Sequence, residues 1–149
     1  MQEGEIIGIV GESGSGKSTL IKSIIGILGE GGQIIEGNIL YEGKDITNLN
    51  KRELMKIRGK AIGMIFQDCK SSFCPIRTIG NQLYDLMKAN MKITKKEALA
   101  RGEEILRELN IKDPKKFLKS YPFELSGGMN QMAVIMMAMA CNPKIILAD

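Results

Sequence analysis

The 149-residue sequence contains no histidine and no tryptophan. Without histidine it can build no Ser-His-Asp triad, no Cys-His pair and no His-ligated metal centre. Cysteine is scarce. Cys69, Cys74 and Cys141 are an odd number with no C-x-x-C pair, which suits free thiols in a reducing compartment rather than a disulfide framework or a metal knot. Long apolar runs are absent too. The longest, Met132 to Cys141, is about half of what a bilayer-spanning helix needs. The first residues, Met1-Gln2-Glu3-Gly4-Glu5, are acidic where a secretory signal carries positive charge. The expectation is a chain that stays in the cytoplasm. An excess of one charge sign is also missing: 21 Lys and Arg against 17 Asp and Glu leave +4, with the lysines scattered over helix-like segments. That pattern reads as solvated faces, and no nucleic-acid partner is expected.

What is present is a hydrophobic fraction of 44%, enough for a packed core in one domain, and 17 glycines in clusters. Ile6 to Val10 reads as a buried strand followed by a glycine loop. Lys17 to Leu28 carries apolar residues at helical spacing, ended by Gly29 to Gly32. Ile34 to Ile46 alternates around Gly37 and Gly43 and predicts a short antiparallel pair. Asn50 and Glu53 form a capping box for a short basic helix to Arg58; Ala61 to Phe66 is a second strand, with Gln67 at its end. After a loop over 68–77, Thr78 opens a helix with Ile79, Leu83, Leu86 and Met87 on one face. Thr94 and Glu97 cap another that runs to Leu109, and Asp113-Pro114 starts a third. Ser126 begins a helix that Asn142-Pro143 stops, and Lys144 to Asp149 is a third apolar strand. Strands with helices at both ends of the chain and a helical middle predict an α/β phosphate-binding core with a helical insertion over roughly 78–125.

Four segments carry chemistry. Gly11-Glu-Ser-Gly-Ser-Gly16-Lys17-Ser18 fits G-x-x-x-x-G-K-[ST]. Its glycines let successive amides converge on one anion, the following helix adds its N-terminal dipole, Lys17 can reach the outer phosphates, and the Ser18 hydroxyl can hold Mg²⁺. Leu125-Ser126-Gly127-Gly128-Met129-Asn130-Gln131 is, by itself, a good helix start with Ser126 as N-cap, and equally a second anion-accepting helix N-terminus. Ile145 to Asp149 is either a core strand with a polar end residue or a strand that delivers a Mg²⁺-holding carboxylate. Gln67 alone is uninformative; a side-chain amide there can meet a metal or an attacking water. The methionines Met132, Met136, Met137 and Met139 read as core packing.

In this order the segments resemble the nucleotide-binding subunits of ATP-binding cassette (ABC) transporters: Gly11 to Ser18 is similar to the Walker A motif, Gln67 to the Q-loop, Leu125 to Gln131 to the signature, and Ile145 to Asp149 to Walker B. Ile62 to Asp68, Ser71-Ser72, Pro75 and Thr78-Ile79-Gly80 resemble the dipeptide, oligopeptide and nickel importer branch. The resemblance implies an ABC-type P-loop NTPase core (residues 1–77 and 126–149) with a helical subdomain (roughly 78–125) and an incomplete sheet. It implies that ATP is held by Gly11, Ser13, Gly14, Ser15, Gly16, Lys17, Ser18 and Thr19, and by Ser126, Gly127 and Gly128 from a facing subunit. Ser18, Gln67 and Asp149 would hold Mg²⁺, and Lys17, Gln67 and Asp149 would serve catalysis. The implied partners are a second ABC ATPase subunit, in a homo- or heterodimer, transmembrane permease subunits at the cytoplasmic face of the membrane and, indirectly, a solute-binding protein.

The sequence also departs from that family. The Glu that follows Walker B and a later His lie beyond Asp149, and the strands and the adenine-stacking aromatic that usually precede Glu3 are missing. The expectation is a family member cut at both ends, marginally stable and self-associating alone, that binds nucleotide with little hydrolysis. The alternatives are a binding-only remnant and a soluble ABC ATPase of another branch. Asn130 and Met132 stand where Arg is common, and Cys69 and Cys74 where Pro and Asn are more usual.

Overall fold

A computed structural model describes residues 3–29, 31–69 and 71–149. They fall into two compact units, one within Met1–Leu49 joined by Asp149, the other Asn50–Ala148.

In the first unit, helix α1 (Lys17–Ile24) is followed by a two-residue hairpin, β1 (Leu40–Tyr41) paired antiparallel with β2 (Lys44–Asp45). The turn residues Glu42 and Gly43 have φ of 50° and 76°, the left-handed pair that matches strand twist in a tight hairpin. Two expectations are corrected here. Ile6 to Val10 forms no strand: Ile6 is 96% and Val10 94% exposed. An apolar run becomes a strand only where a neighbour supplies ladder bonds, and none reaches this segment among the described residues. Helix α1 stops four residues before Leu28. The Ile27 amide donates to Lys22 O (2.9 Å) and the Gly26 amide to Ser23 O (3.0 Å), the paired bonds of a Schellman cap, with Gly26 at φ 66°. The first glycine able to take the left-handed conformation ends the helix, ahead of the Gly29–Gly32 cluster. The predicted strand pair over 34–46 exists only as the hairpin over 40–45, at its C-terminal end.

The second unit follows the sequence pattern closely. It contains α2 (Lys51–Ile57), β3 (Ile62–Ile65), α3 (Ile79–Asn90), α4 (Lys95–Glu108), α5 (Pro114–Lys119), a 3-10 turn (Pro122–Glu124), α6 (Gly127–Met139) and β4 (Ile145–Ala148). The predicted N-caps are made: Asn50 and Thr94 form complete capping boxes, and Asp113 and Ser126 accept from backbone amides; Thr78, where the helical pattern begins, caps α3 in the same way. Strands β3 and β4 run parallel with Ile62 opposite Ile145 and Ile65 opposite Ala148. Helix α6 lies against β3 so closely that a Cβ on Gly63 would stand 2.6 Å from the Ala138 carbonyl oxygen. The core joins α3, α4, α5 and α6 through Ile79, Leu83, Ile105, Leu106, Phe117 and Met136, all at most 2% exposed. Truncating one of its leucines to alanine costs about 2–5 kcal/mol. Met132, Met137 and Met139 pack on this cluster as core residues. The three cysteines are free, and burial pushes the Cys141 thiol up. Among the described residues no helix is long and apolar enough to cross a membrane.

Candidate functional site

The loop of residues 11–16 folds tightly ahead of α1. The Ser15 amide donates to Glu12 O (3.2 Å), and Gly14 and Gly16 stand at φ 82° and 93°. In that conformation a side chain costs roughly 1–2 kcal/mol, so glycine at both places is a backbone requirement. Gly16 is the N-cap of α1 and offers no side-chain cap. The amides of Gly16, Lys17, Ser18 and Thr19 consequently find no acceptor among the described residues. Four unpaired donors at the positive end of a helix form an anion-accepting surface. The Lys17 ammonium curls back over the same loop, donating to Gly11 O (2.8 Å), Glu12 O (2.6 Å) and Ser15 Oγ (3.3 Å). It is thereby fixed beside the donors rather than free in solvent. Ser13 and Thr19 are exposed at the two ends of this arc.

Ser18 Oγ donates to Asp149 Oδ1 at 2.6 Å, across 131 residues of sequence, and both groups are part-buried. A hydroxyl and a carboxylate are hard oxygen donors, the set that Mg²⁺ takes alongside water and phosphate oxygens. The two residues fit that ion. Among the described residues no group of three or more His, Cys, Asp or Glu could hold a metal, so these oxygens would be a partial ligand set completed by a nucleotide.

The remaining predicted residues belong to the second unit. Gln67 follows β3 by two residues and is exposed; its side-chain amide has no partner among the described residues. Ser126, Gly127 and Gly128 form the exposed start of α6, with Ser126 Oγ accepting from the Met129 amide at 3.3 Å. Neither glycine has a left-handed φ, and a Cβ on either would meet nothing within 4 Å. The chain's own packing therefore does not ask for glycine there. About 18 Å of helix separates this turn from the Ala138 contact with β3, taking 1.5 Å per residue. The structure thus brings the loop, Lys17, Ser18 and Asp149 together in the first unit and holds the α6 turn apart from the β3–β4 sheet within the second.

Asn130, which stands where the family more often has Arg, is 3% exposed, and its Nδ2 donates to Pro122 O, Leu125 O and Ser126 O at 3.1, 3.2 and 3.3 Å. Its signal was available: an amide inside the apolar α6 sequence must find partners or be expensive.

The ABC transporter family description matches residues 1–149, the whole chain. The chain belongs to this family. It is 39% identical, over its full length, to a probable peptide ABC transporter ATP-binding protein of Sinorhizobium fredii, covering 45% of that protein. It is 41% identical to the oligopeptide transport ATP-binding protein AppD of Bacillus subtilis, again over its full length and 46% of the relative. The chain spans about half the length of these curated relatives. A solved ATP-binding cassette, dimeric in a post-hydrolysis state with ADP and Pi, matches with a TM-score of 0.84 at 32% identity, over 99% of this chain and 61% of the other. The expected P-loop NTPase cassette fold, with a sheet left open, is therefore the fold of this chain.

Proposed function

We propose that this chain is the ATP-binding part of an ABC importer subunit that energises uptake of peptides or nickel from the cytoplasmic face of the membrane. The observation that carries the reading is the contact of Ser18 with Asp149 beneath the unpaired amides of residues 16–19. A magnesium–triphosphate needs both halves: donors for phosphate oxygens and hard oxygens for the ion. In this reading Gly11 and Ser13 to Ser15 shape the cradle, Gly16 to Thr19 supply its amides, and Lys17 turns its ammonium from the loop carbonyls to the outer phosphates. Ser18 and Asp149 would hold Mg²⁺. When bound, the ion neutralises charge that builds up on the transferred phosphoryl group.

Residues 1–77 and 126–149 would act as the α/β core and 78–125 as the helical subdomain. The clearance over Gly127 and Gly128 suits close approach by an external group, which supports placing Ser126, Gly127 and Gly128 against the terminal phosphate held by a second ATPase subunit. The names of the relatives support peptide as the solute class; permease subunits would dock near Gln67, and a solute-binding protein would act through them. The residues placed here position and neutralise, so the 149-residue chain alone is expected to bind nucleotide and release little phosphate. The test is titration of a fluorescent ATP analogue with and without Mg²⁺. We expect Mg²⁺ to tighten binding to the parent chain, and Ser18→Ala or Asp149→Asn to remove about tenfold of that gain, the size of one charge-assisted contact. Binding indifferent to Mg²⁺ in the parent would overturn the assignment.

A further inference from the structure

Asn130 is a buried polar side chain that the proposed chemistry leaves unused. It sits in the first turns of α6, whose sequence beyond it is almost wholly apolar. Its Nδ2 faces three carbonyl oxygens, of Pro122, Leu125 and Ser126. Its Oδ1 is buried with no partner among the described residues. Those carbonyls decide which way the amide faces, because turned round its oxygen would meet three oxygens. The position therefore requires donors and keeps an orphan acceptor to have them, an arrangement that stability alone disfavours. All three carbonyls belong to the stretch leading into Gly127 and Gly128. The Asn130 amide also donates to Ser126 O at 2.9 Å, so backbone and side chain of one residue grip the same carbonyl.

We infer that Asn130 is the positioning residue of the turn that starts α6. By holding Pro122 to Ser126 from beneath, it fixes the Ser126 hydroxyl and the Gly127 and Gly128 amides outward, ordered in advance for an anionic group carried by a second cassette. The role rests on the function proposed above for that turn. Ordering a recognition surface before contact lowers the entropic cost of association.

The full chain tests this with Asn130→Asp, which keeps the shape and removes the donors, Asn130→Leu, which keeps the volume and removes all polarity, and Asn130→Gln, which keeps the donors. Hydrogen exchange read by mass spectrometry over 122–130 is expected to quicken about tenfold in the Asp and Leu variants, the loss of one or two net hydrogen bonds. Exchange in α3 and α4 and the single-chain affinity for MgATP should stay at parent values, which a general loss of folding would not permit. ATP-dependent association in sedimentation should weaken about tenfold in the same two variants and recover in Asn130→Gln. The inference falls if exchange over 122–130 matches the parent in both the Asp and Leu variants, or if it rises throughout the chain. If the parent itself does not associate on ATP while the exchange result holds, the positioning role stands and the proposed function of the turn falls.

Discussion

Two helices in this chain begin on exposed glycines, and the glycines answer to different demands. At α1, Gly14 and Gly16 are set by their own dihedrals, φ 82° and 93°. At α6, Gly127 and Gly128 have no such dihedral, and no neighbour crowds their Cβ positions. The first turn is held by a cation, Lys17, bonded to carbonyls inside its own loop. The second is held from below by a neutral buried amide, Asn130, and capped by Ser126. A loop built around its own ammonium needs conformational freedom; a turn built on a packed helix needs clearance. The same residue type thus reports a conformation in one place and an open surface in the other.

The largest effect that would sharpen this contrast is at Lys17. Replacing it with alanine removes the fixed charge and leaves the carbonyls of Gly11 and Glu12 without their donor. Nucleotide affinity of the single chain should fall roughly 100-fold, the order of a lost charged contact. A Lys17→Ala chain that binds a fluorescent ATP analogue as well as the parent would break the comparison at its stronger side. Next comes Gly16→Ala. A methyl at φ 93° costs roughly 1–2 kcal/mol, and either the loop distorts or the fold absorbs the strain. Thermal melts should show the destabilisation, with binding weakened beside it.

How far these features were legible in the sequence follows from what each depends on. Thr78, Thr94, Asp113 and Ser126 cap helices through bonds spanning three residues, so the letters alone located α3 to α6. The core face of α3 was equally plain, because Ile79, Leu83 and Met87 repeat at helical spacing. Ile6 to Val10 was not, since a strand exists only through neighbours that spacing within five residues cannot reveal. The end of α1 was misplaced because several glycines compete and the first to adopt a left-handed φ wins. At the site, the loop pattern named its own residues. The meeting of Ser18 with Asp149, 131 residues apart, was expected from motif order and could not be obtained from local pattern. Asn130 stood out in the sequence as a departure from Arg, but its burial and its three carbonyl partners come from the packing of residues 122–126 against α6.

Smaller effects probe the α6 side. Gly128→Ala should stabilise its helix by up to about 1 kcal/mol, since the added methyl touches nothing and alanine is the better helix former. Single-chain nucleotide binding should be unchanged, while ATP-dependent association should fall about tenfold as the methyl fills the clearance. A variant more stable and still fully associating would show that the space over Gly128 serves no visitor.

The smallest effect supplies a control, a helix start that serves only itself. At α4, Thr94 Oγ1 and the Thr94 amide both donate to Glu97 Oε2, at 2.6 and 2.8 Å, and the Glu97 amide donates back to Thr94 Oγ1 at 3.3 Å. The hydroxyl first, and the amide second, hold the Glu97 carboxyl below the usual 4.5. A carboxylate whose pKa is lower folded than unfolded stabilises the fold above its unfolded value and loses that contribution as pH falls through the folded one. Exchange at the first turn of α4 should therefore quicken as pH drops below about 4.5, after correction for the intrinsic rate, and Thr94→Ala should show the quickened rate already at neutral pH. The start of α6, capped by the Ser126 hydroxyl with no acidic residue in its first turn, should not share this acid response. Acid loosening of equal size at both helix starts would mean that the contrast between self-serving and ligand-serving turns is not written in their caps.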